Sequence, residues 1–162
     1  MNVAYLCLGG NLGDRESSIK AAISKIQEVA GDISAISRIY ETEAWGVTNQ
    51  SAYLNCCVEL KTTLTPEELI GCLLKIEHDM GRERNLYHTY EPRTIDIDIL
   101  FYNDLVSELN HLTVPHPRLH LRKFVLIPLN DIASEFKHPV FGKTVRDLLL
   151  ECSDTSEVKL YK

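Results

Sequence analysis

The chain has 162 residues, of which 44% are hydrophobic and 25% are charged, and this balance is typical of a folded globular domain rather than a disordered segment. The formal net charge is −6, which argues against a duplex-binding protein, because such domains usually carry a basic surface. No apolar run approaches the roughly 18 residues of a membrane span. Residues 1–8 are too short and too uncharged for a signal peptide. We therefore expect one domain over residues 1–162 that binds neither nucleic acid nor membranes.

The five cysteines form no recognisable disulfide or zinc pattern. Their number is odd and no C-x-x-C spacing occurs, so neither a disulfide framework nor a zinc knuckle is indicated. Small, reduced and mostly buried side chains are the simpler interpretation. Reduced cysteines are typical of the cytoplasm, which is the compartment we expect.

The first half of the chain is predicted to alternate strands with one helix. Strands are indicated by an apolar run that stops at a glycine pair and by two segments rich in β-branched or alternating residues, at residues 3–8, 33–40 and 53–60. Asn11 or Asp14 can cap the helix after the first strand, and Gly31 can end it. The polar stretch at residues 41–50 is predicted as a loop.

The second half begins with a strong helix signal at Thr65, where Thr-Pro-Glu-Glu forms a capping box. Gly81 ends that helix, and residues 81–92 have almost no aliphatic side chains, so they are predicted as a long polar loop. Loops of that length are often functional or mobile. The remaining expectations are a strand of strict alternation, an extended segment, an apolar stretch and a short helix, at residues 94–101, 112–117, 123–129 and 144–150.

This order, β-α-β followed by β-α-β and a tail, predicts an α+β fold. Two such units of this size favour a ferredoxin-like sandwich with added C-terminal elements. Because that fold carries many unrelated functions, the function has to be argued from the site.

The most informative segment is the predicted strand that contains Asp96 and Asp98. Alternation places Ile95, Ile97 and Ile99 in the core and both carboxylates on the opposite face, about 7 Å apart at the rise of a strand. A divalent cation would offset their repulsion, and Mg²⁺ prefers one or two carboxylates together with substrate phosphate oxygens. A solvated acidic face is the alternative interpretation.

Basic residues near this strand favour a phosphate substrate. Arg93 lies three residues before the first aspartate, and Arg82 and Arg84 lie in the preceding polar loop. A guanidinium beside two carboxylates can form an ordinary ion pair, and it can also hold a phosphate bidentately. A second cluster, His116, Arg118 and Arg122, can also reach phosphates, although it can equally be a solvated turn. His116 and His120 have no cysteine or acidic partner nearby, which argues against zinc. The glycine turn at residues 9–13 matches no phosphate-binding pattern and is interpreted as structural.

Taken together, these motifs resemble the 6-hydroxymethyl-7,8-dihydropterin pyrophosphokinase family of folate biosynthesis. The resemblance runs nearly end to end, and it is most specific in the segment PRTIDIDI at residues 92–99. The other matching segments are AYLCLGGNLG, YLN, GRER and VPHPRL, at residues 4–13, 53–55, 81–84 and 114–119.

The resemblance implies a ferredoxin-like fold, and it implies that ATP donates its β,γ-pyrophosphate to the pterin hydroxymethyl group and leaves as AMP. Two Mg²⁺ ions are implied at Asp96 and Asp98, with Arg82 and Arg93 as further catalytic residues. The implied ATP-binding positions are Glu77, Arg84, Ile99, Thr113, His116 and Arg122. The implied pterin-binding positions are Thr42, Trp45, Tyr53, Asn55 and Phe124. We expect a monomer whose partners are these two small molecules.

The chain departs from the family pattern at four positions. Gly10 stands where many relatives carry Ser, Trp45 where a smaller aliphatic residue occurs, Tyr90 where Trp occurs, and His111 where Arg occurs. Two other functions remain open on the residues alone. They are a two-metal nuclease that uses Asp96 and Asp98, and a non-catalytic ligand-binding module.

Overall fold

The computed structural model of the chain describes residues 1–43, 52–81 and 94–161. Within these ranges the strands are β1 (Asn2–Gly10), β2 (Asp32–Ile36), β3 (Tyr40–Thr42), β4 (Tyr53–Thr62), β5 (Asp96–Tyr102), β6 (Ser107–Leu109), β7 (Leu112–Val114) and β8 (Val158–Leu160). The helices are α1 (Arg15–Val29), α2 (Pro66–Asp79), α3 (Lys123–Ala133) and α4 (Val145–Glu151), with a 3₁₀ turn over Leu119–Leu121. None of the helices in these ranges is long and apolar enough to cross a membrane.

The strands form one antiparallel sheet and a separate hairpin. The sheet has the order β5-β1-β4-β3-β8, with β2 also paired to β4, and the hairpin is β6-β7. Helix α1 connects β1 to β2 across the intervening β4, and α2 connects β4 to β5 across the intervening β1. These two interlocked β-α-β units make the sheet ferredoxin-like, so the predicted α+β fold class is confirmed.

Each face of the sheet has its own hydrophobic core. On one face, Leu6 and Leu8 of β1 pack with apolar residues of α1 and α2, among them Ile26 and Leu73. On the other face, Tyr5 and Cys7 pack with residues of α3 and α4. The C-terminal helices are therefore the added elements that the sequence predicts, and they cover the sheet face that α1 and α2 leave open.

The starts of α1, α2 and α4 follow the capping residues that the sequence offers. Asp14 accepts a hydrogen bond from the N–H of Ser17 at the start of α1. Thr65 and Glu68 form the predicted capping box at the start of α2. Thr144 accepts from the N–H of Asp147 at the start of α4. In each case a side chain satisfies a backbone donor that the first helical turn leaves without an internal partner.

The prediction of a single strand over residues 33–40 is wrong, because the chain forms β2 and β3 with a break at Ser37. The N–H of Ser37 donates to the carbonyl of Cys57 at 2.9 Å. In return, its hydroxyl accepts from the N–H of Cys57 at 2.8 Å. A side-chain oxygen thus replaces a main-chain carbonyl in the ladder, and the strand is interrupted there.

Two C-terminal elements were not predicted as such. The apolar stretch at residues 123–129 belongs to helix α3. This helix contains Pro128, and because proline is rare in helix interiors, the sequence did not indicate a helix there. The tail contains β8, whose three residues extend the sheet by pairing with β3. A strand that short offers too few residues for an alternating pattern.

Strand β5 contains a β-bulge at Leu100, where the strict alternation predicted for residues 94–101 fails. Ile99 pairs with Leu6 and Phe101 pairs with Tyr5, so Leu100 has no partner of its own. The extra residue lets Ile97 and Ile99 face the α1–α2 core while Phe101 faces the α3–α4 core. On the N-terminal side of the bulge, alternation holds and places Asp96 and Asp98 on the α3 face.

His138 is a buried residue of the segment that connects α3 to α4. Its ring stacks on Phe141 with centroids 4.2 Å apart. Its Nδ1 accepts hydrogen bonds from the N–H groups of Val140 at 3.1 Å and Phe141 at 3.2 Å. Burial, and to a smaller extent His120, lower the pKa of His138 below its ordinary value of 6.5.

We expect His138 to make the protein less stable in mild acid. Since its folded pKa is lowered, the unfolded chain binds the proton more readily, so stability is full above pH 6.5 and falls as the pH drops through that value towards the folded pKa. Asparagine does not titrate, and its Oδ1 can accept the same two hydrogen bonds. In His138→Asn, the decrease in unfolding free energy that His138 causes in mild acid should therefore disappear. Urea unfolding of both proteins at about pH 7.5 and about pH 5.5 measures it. An equal loss of unfolding free energy in the two proteins would contradict the assignment.

Candidate active site

A groove of about 370 Å³ runs along the free edge of β5, within the roughly 300–1,000 Å³ typical of small-molecule sites. β5 is at one end of the strand order, so no other strand of the described part of the chain pairs with its outer edge. Helix α2, β5, the β6–β7 hairpin and the segment after it form the walls. The lining comprises Ile70, Leu73, Leu74, Glu77, Asp96, Ile97, Asp98, Ile99, His111, Leu112, Thr113, Val114, His116 and Arg122.

The groove brings together every described position that the resemblance implies for ATP or metal. Glu77 comes from α2, Ile99 and the two aspartates from β5, and Thr113 from β7. His116 and Arg122 come from the segment that leads into α3. These residues are distant in sequence, so their convergence is a property of the fold. That they bind ATP and metal stays a prediction.

His116 is held in the groove as a neutral hydrogen-bond donor. Its N–H donates to the carbonyl of Leu100 at 2.9 Å, so the bulge of β5 anchors its backbone. Its Nδ1 accepts from the N–H of Arg118 at 3.1 Å, which leaves the proton on Nε2. Burial, followed by the positive charge of Arg122, lowers the pKa of His116 to about 4. A neutral imidazole with Nε2–H can donate to a phosphate or a base edge.

Arg122 connects the groove to the α3 face of the sheet. It is the residue that precedes α3, and it lines the groove. Its guanidinium carbon lies over the ring of Phe124, 5.7 Å from the ring centroid, which is within reach of a cation–π contact. Phe124 in turn packs against the α3–α4 core. Two predicted positions for different substrates are therefore in contact with each other.

On the α3 face, the register of three strands aligns Asp96, Gly9 and Asn55 in one row. Gly9 of β1 pairs with Asp96 of β5 on one side and with Asn55 of β4 on the other. Residues directly opposite one another in an antiparallel sheet share a face. At about 4.8 Å per strand, the carboxylate and amide positions lie about 10 Å apart. Between them the glycine leaves the sheet surface without a side chain.

The predicted pterin positions lie beside this row. Tyr53 and Asn55 lie two residues apart on β4 and therefore share a face, and Thr42 of β3 pairs with Tyr53. Phe124 begins α3 on the same side of the sheet. The fold thus assembles the described pterin positions on the face opposite α1 and α2, whereas the groove wraps around the edge of β5. The two aspartates lie at the junction.

Two buried polar atoms at this site have no hydrogen-bond partner among the described residues. They are Oγ1 of Thr42 and Oδ1 of Asn55, and both side chains are 7% exposed. An unsatisfied buried acceptor costs about 1–3 kcal/mol. Buried acceptors that find partners only in a ligand are a typical signature of a polar binding site.

The carboxylates fit a magnesium site that depends on substrate. No group of three or more His, Cys, Asp or Glu side chains capable of holding a metal occurs in residues 1–43, 52–81 and 94–161. The paired aspartates, together with phosphate oxygens, form the donor set that Mg²⁺ prefers. The residues present therefore fit a metal that arrives with a phosphate ligand better than one held by protein alone.

Several predicted positions lie outside the described residues. They are Trp45 of the pterin set, Arg84 of the ATP set, the catalytic candidates Arg82 and Arg93, and Tyr90 of the polar loop. The prediction for residues 81–92 as a loop falls on the same part of the chain. Their assignments rest on the sequence resemblance alone.

Two parts of the site, Gly9 and the apolar lining of the groove, could not be predicted from the sequence. Gly9 was interpreted as a structural turn residue, but it is the centre of the Asp96–Gly9–Asn55 row. A β-carbon at Gly9 would lie 2.2 Å from Nδ2 of Asn55, which nothing in the local sequence reveals. The apolar lining of the groove, such as Leu74, was also not separable from the core stripe of α2, because both follow helical spacing.

A model of the 7,8-dihydro-6-hydroxymethylpterin-pyrophosphokinase family matches residues 5–134 of the chain. The chain belongs to this family. The 2-amino-4-hydroxy-6-hydroxymethyldihydropteridine pyrophosphokinase of Aquifex aeolicus is 42% identical over 147 residues, which are 91% of this chain and 90% of that protein. The enzyme of the same name from Bacillus subtilis is 42% identical over 135 residues, covering 83% of this chain and 80% of that protein.

Solved structures support the fold of the family independently. A crystal structure of an HPPK-DHPS in complex with substrates superposes with a TM-score of 0.70 at 19% identity. The superposition covers 92% of this chain but only 43% of that protein, so this chain spans less than half of it. That likeness confirms the fold alone. Membership of the family makes the chain a pyrophosphokinase, a transferase of folate biosynthesis.

Proposed function

We propose that the chain transfers pyrophosphate from ATP to the hydroxymethyl group of 6-hydroxymethyl-7,8-dihydropterin. The hydroxyl oxygen attacks the β-phosphorus of ATP, the bond from that phosphorus to the α,β-bridging oxygen breaks, AMP leaves with this oxygen, and the hydroxyl loses its proton. The family relationship supports the reaction. The position that we propose for the reaction rests on one observation, the row of Asp96, Gly9 and Asn55 across three strands.

The pterin binds on the α3 face of the sheet in this proposal. A flat polar heterocycle needs ring stacking and directed hydrogen bonds, for which Tyr53 and Phe124 provide the rings. Asn55 and Thr42 offer the acceptors that have no partner among the described residues. With the ring against these groups, the hydroxymethyl arm would point along the row towards Asp96, which lies two strands from Asn55.

ATP binds in the groove at the edge of β5. The neutral His116 and the cationic Arg122 can donate hydrogen bonds to the phosphates, and the apolar groups of Ile70 and Leu74 can contact the base. Arg82, Arg84 and Arg93, which the resemblance implies, would add positive charge to the transferring group. Phosphoryl-type transfer requires mainly such positioning and charge neutralisation.

Asp96 and Asp98 would hold two Mg²⁺ ions between the two substrates. Bound there, the ions would neutralise phosphate charge and lower the pKa of the attacking hydroxyl. The two carboxylates would hold the ions in a defined position, because they project from β5, which is hydrogen-bonded to β1. We further propose that residues 1–162 act as one catalytic domain, as a monomer in the cytoplasm.

The proposal predicts that AMP is released from ATP only when the pterin is present. Purified chain, ATP, Mg²⁺ and 6-hydroxymethyl-7,8-dihydropterin should give AMP and pterin pyrophosphate in equal amounts, measured by ion-exchange chromatography. Omission of the pterin or chelation of the metal should abolish both products. AMP without pterin would indicate an ATP hydrolase instead.

The same assay separates the remaining alternatives. A non-catalytic binding module would bind the pterin but give no AMP under any condition. A two-metal nuclease would cut a labelled oligonucleotide in Mg²⁺ and show no dependence on the pterin. Either result would contradict the proposed reaction.

A further inference from the structure

Arg15 ties together the strands that carry the pterin positions, from the side of the sheet opposite the pterin. It is the first residue of α1, and its side chain is 21% exposed. Its Nη1 donates to Oε2 of Glu41 at 2.6 Å and to the carbonyl of Ala52 at 2.8 Å. One guanidinium nitrogen therefore bonds both β3 and the residue that precedes β4.

The two acceptors are the immediate neighbours of Thr42 and Tyr53. Glu41 precedes Thr42 on β3, and Ala52 precedes Tyr53, while Thr42 and Tyr53 are themselves register partners. Because successive side chains on a strand alternate faces, the carboxylate of Glu41 points away from the face of Thr42. Arg15 thus fixes the spacing of two pterin positions without lying in their pocket.

Tyr161, the residue that follows β8, adds a further contact to Arg15. The guanidinium carbon of Arg15 lies 5.5 Å from the centre of the Tyr161 ring. The N–H of Tyr161 donates to the carbonyl of Ile39 at 2.8 Å, immediately before β3. A partly buried guanidinium with a charged partner, a carbonyl and an aromatic face has little freedom to move, which suits a positioning role.

We propose that Arg15 is a positioning residue that sets the affinity for the pterin through β3 and β4. The proposal rests on the proposed function. It adds a residue that neither the resemblance nor the groove indicates, and it assigns that residue to pterin binding rather than to ATP binding. Within residues 1–43, 52–81 and 94–161, the bonds of Arg15 reach the strand ends beside Thr42 and Tyr53. In the sheet order these ends are far from β5.

Arg15→Met keeps much of the side-chain length and removes the donors. The dissociation constant of the variant for the pterin should rise about tenfold, because β3 and β4 lose their shared contact and pterin binding then has to restore their spacing at a cost similar to one hydrogen bond. The constant for α,β-methylene-ATP should change by less than about twofold, and kcat at saturating pterin should stay within about threefold. Calorimetric titration of pterin into protein saturated with the analogue, and of the analogue alone, measures both constants.

Three further variants make the test specific. Lys20→Met removes an exposed ion pair with Glu16 on the same helix and should leave both constants unchanged. Arg15→Lys, which keeps a charged donor, should restore part of the pterin affinity. Combined with Arg15→Met, Glu41→Gln should cause less additional loss than it does alone, because the two residues act through one contact.

Other outcomes would overturn the proposal. A lower melting temperature with unchanged pterin affinity would make Arg15 merely structural. An equal loss of affinity for both ligands would show a general disturbance of the site. If the wild-type chain binds no pterin, the proposed function fails and this proposal fails with it.

Discussion

Replacing Asp98 with asparagine should lower kcat for pyrophosphate transfer by about 1,000-fold or more. Bound metal contributes several kcal/mol of transition-state stabilisation, and each 1.36 kcal/mol corresponds to about tenfold in rate. The amide has the size of the carboxylate but lacks its charge, so the magnesium donor set would lose one of its two anionic ligands. The affinity for the pterin should change far less, because the predicted pterin residues on β4 lie two strands from Asp98.

Asp104→Asn is the matched control for this prediction. Asp104 lies in the exposed turn that follows β5 and does not line the groove. It therefore reports the effect of removing one negative charge near the same strand. Steady-state kinetics over a range of Mg²⁺ concentrations should show nearly full activity for Asp104→Asn and almost none for Asp98→Asn. Comparable activity of the two variants would exclude Asp98 from the metal centre.

Replacing Asn55 with leucine should weaken pterin binding roughly 100-fold, since two hydrogen bonds of about 1–1.5 kcal/mol would be lost. Leucine has the same branched shape, so the change tests hydrogen bonding more than packing. The melting temperature should stay the same or rise, because the variant removes a buried oxygen that has no partner among the described residues. Loss of affinity without loss of stability is characteristic of a binding residue.

Gly9→Ala tests the same contact from the neighbouring strand. Its β-carbon would lie 2.2 Å from Nδ2 of Asn55, so the amide has to move and pterin affinity should fall as well. Gly71→Ala in α2 is the matched control, because a β-carbon there meets no atom within 4 Å. It should leave binding unchanged and stabilise the helix by about 1 kcal/mol. Unchanged pterin affinity in Gly9→Ala and Asn55→Leu would remove Asn55 from the pterin site.

The parts of the fold that local sequence determines were predictable. The capping box at Thr65 and the apolar run of β1 locate their elements because a few adjacent residues determine a helix start or a buried strand. Features that depend on distant contacts were not predictable. The break at Ser37 requires its exchange of hydrogen bonds with Cys57, and the bulge at Leu100 appears only when β5 is paired with β1.

The candidate site divides in the same way. Asp96 and Asp98 stand out in sequence, because paired carboxylates in an otherwise apolar strand have no packing role. His116 was indicated by its cluster with Arg118 and Arg122, whereas Thr113 entered only through the family resemblance. Arg15 and Gly9 gave no local signal, since their importance comes from contacts with Ala52 and Asn55 that sequence separation conceals.

The bulge at Leu100 also limits which insertions and deletions the gene for this chain can accept. Side chains on a strand alternate between the two faces of the sheet, and the extra residue at the bulge shifts that alternation by one position. Asp96 and Asp98 before the bulge and Phe101 after it can therefore all face α3. Loss of one residue there would turn the carboxylates towards α1 and α2 or shift Phe101 out of its place. Leu100 is itself buried in the α3–α4 core, so selection acts both on its side chain and on the residue count between Asp98 and Phe101.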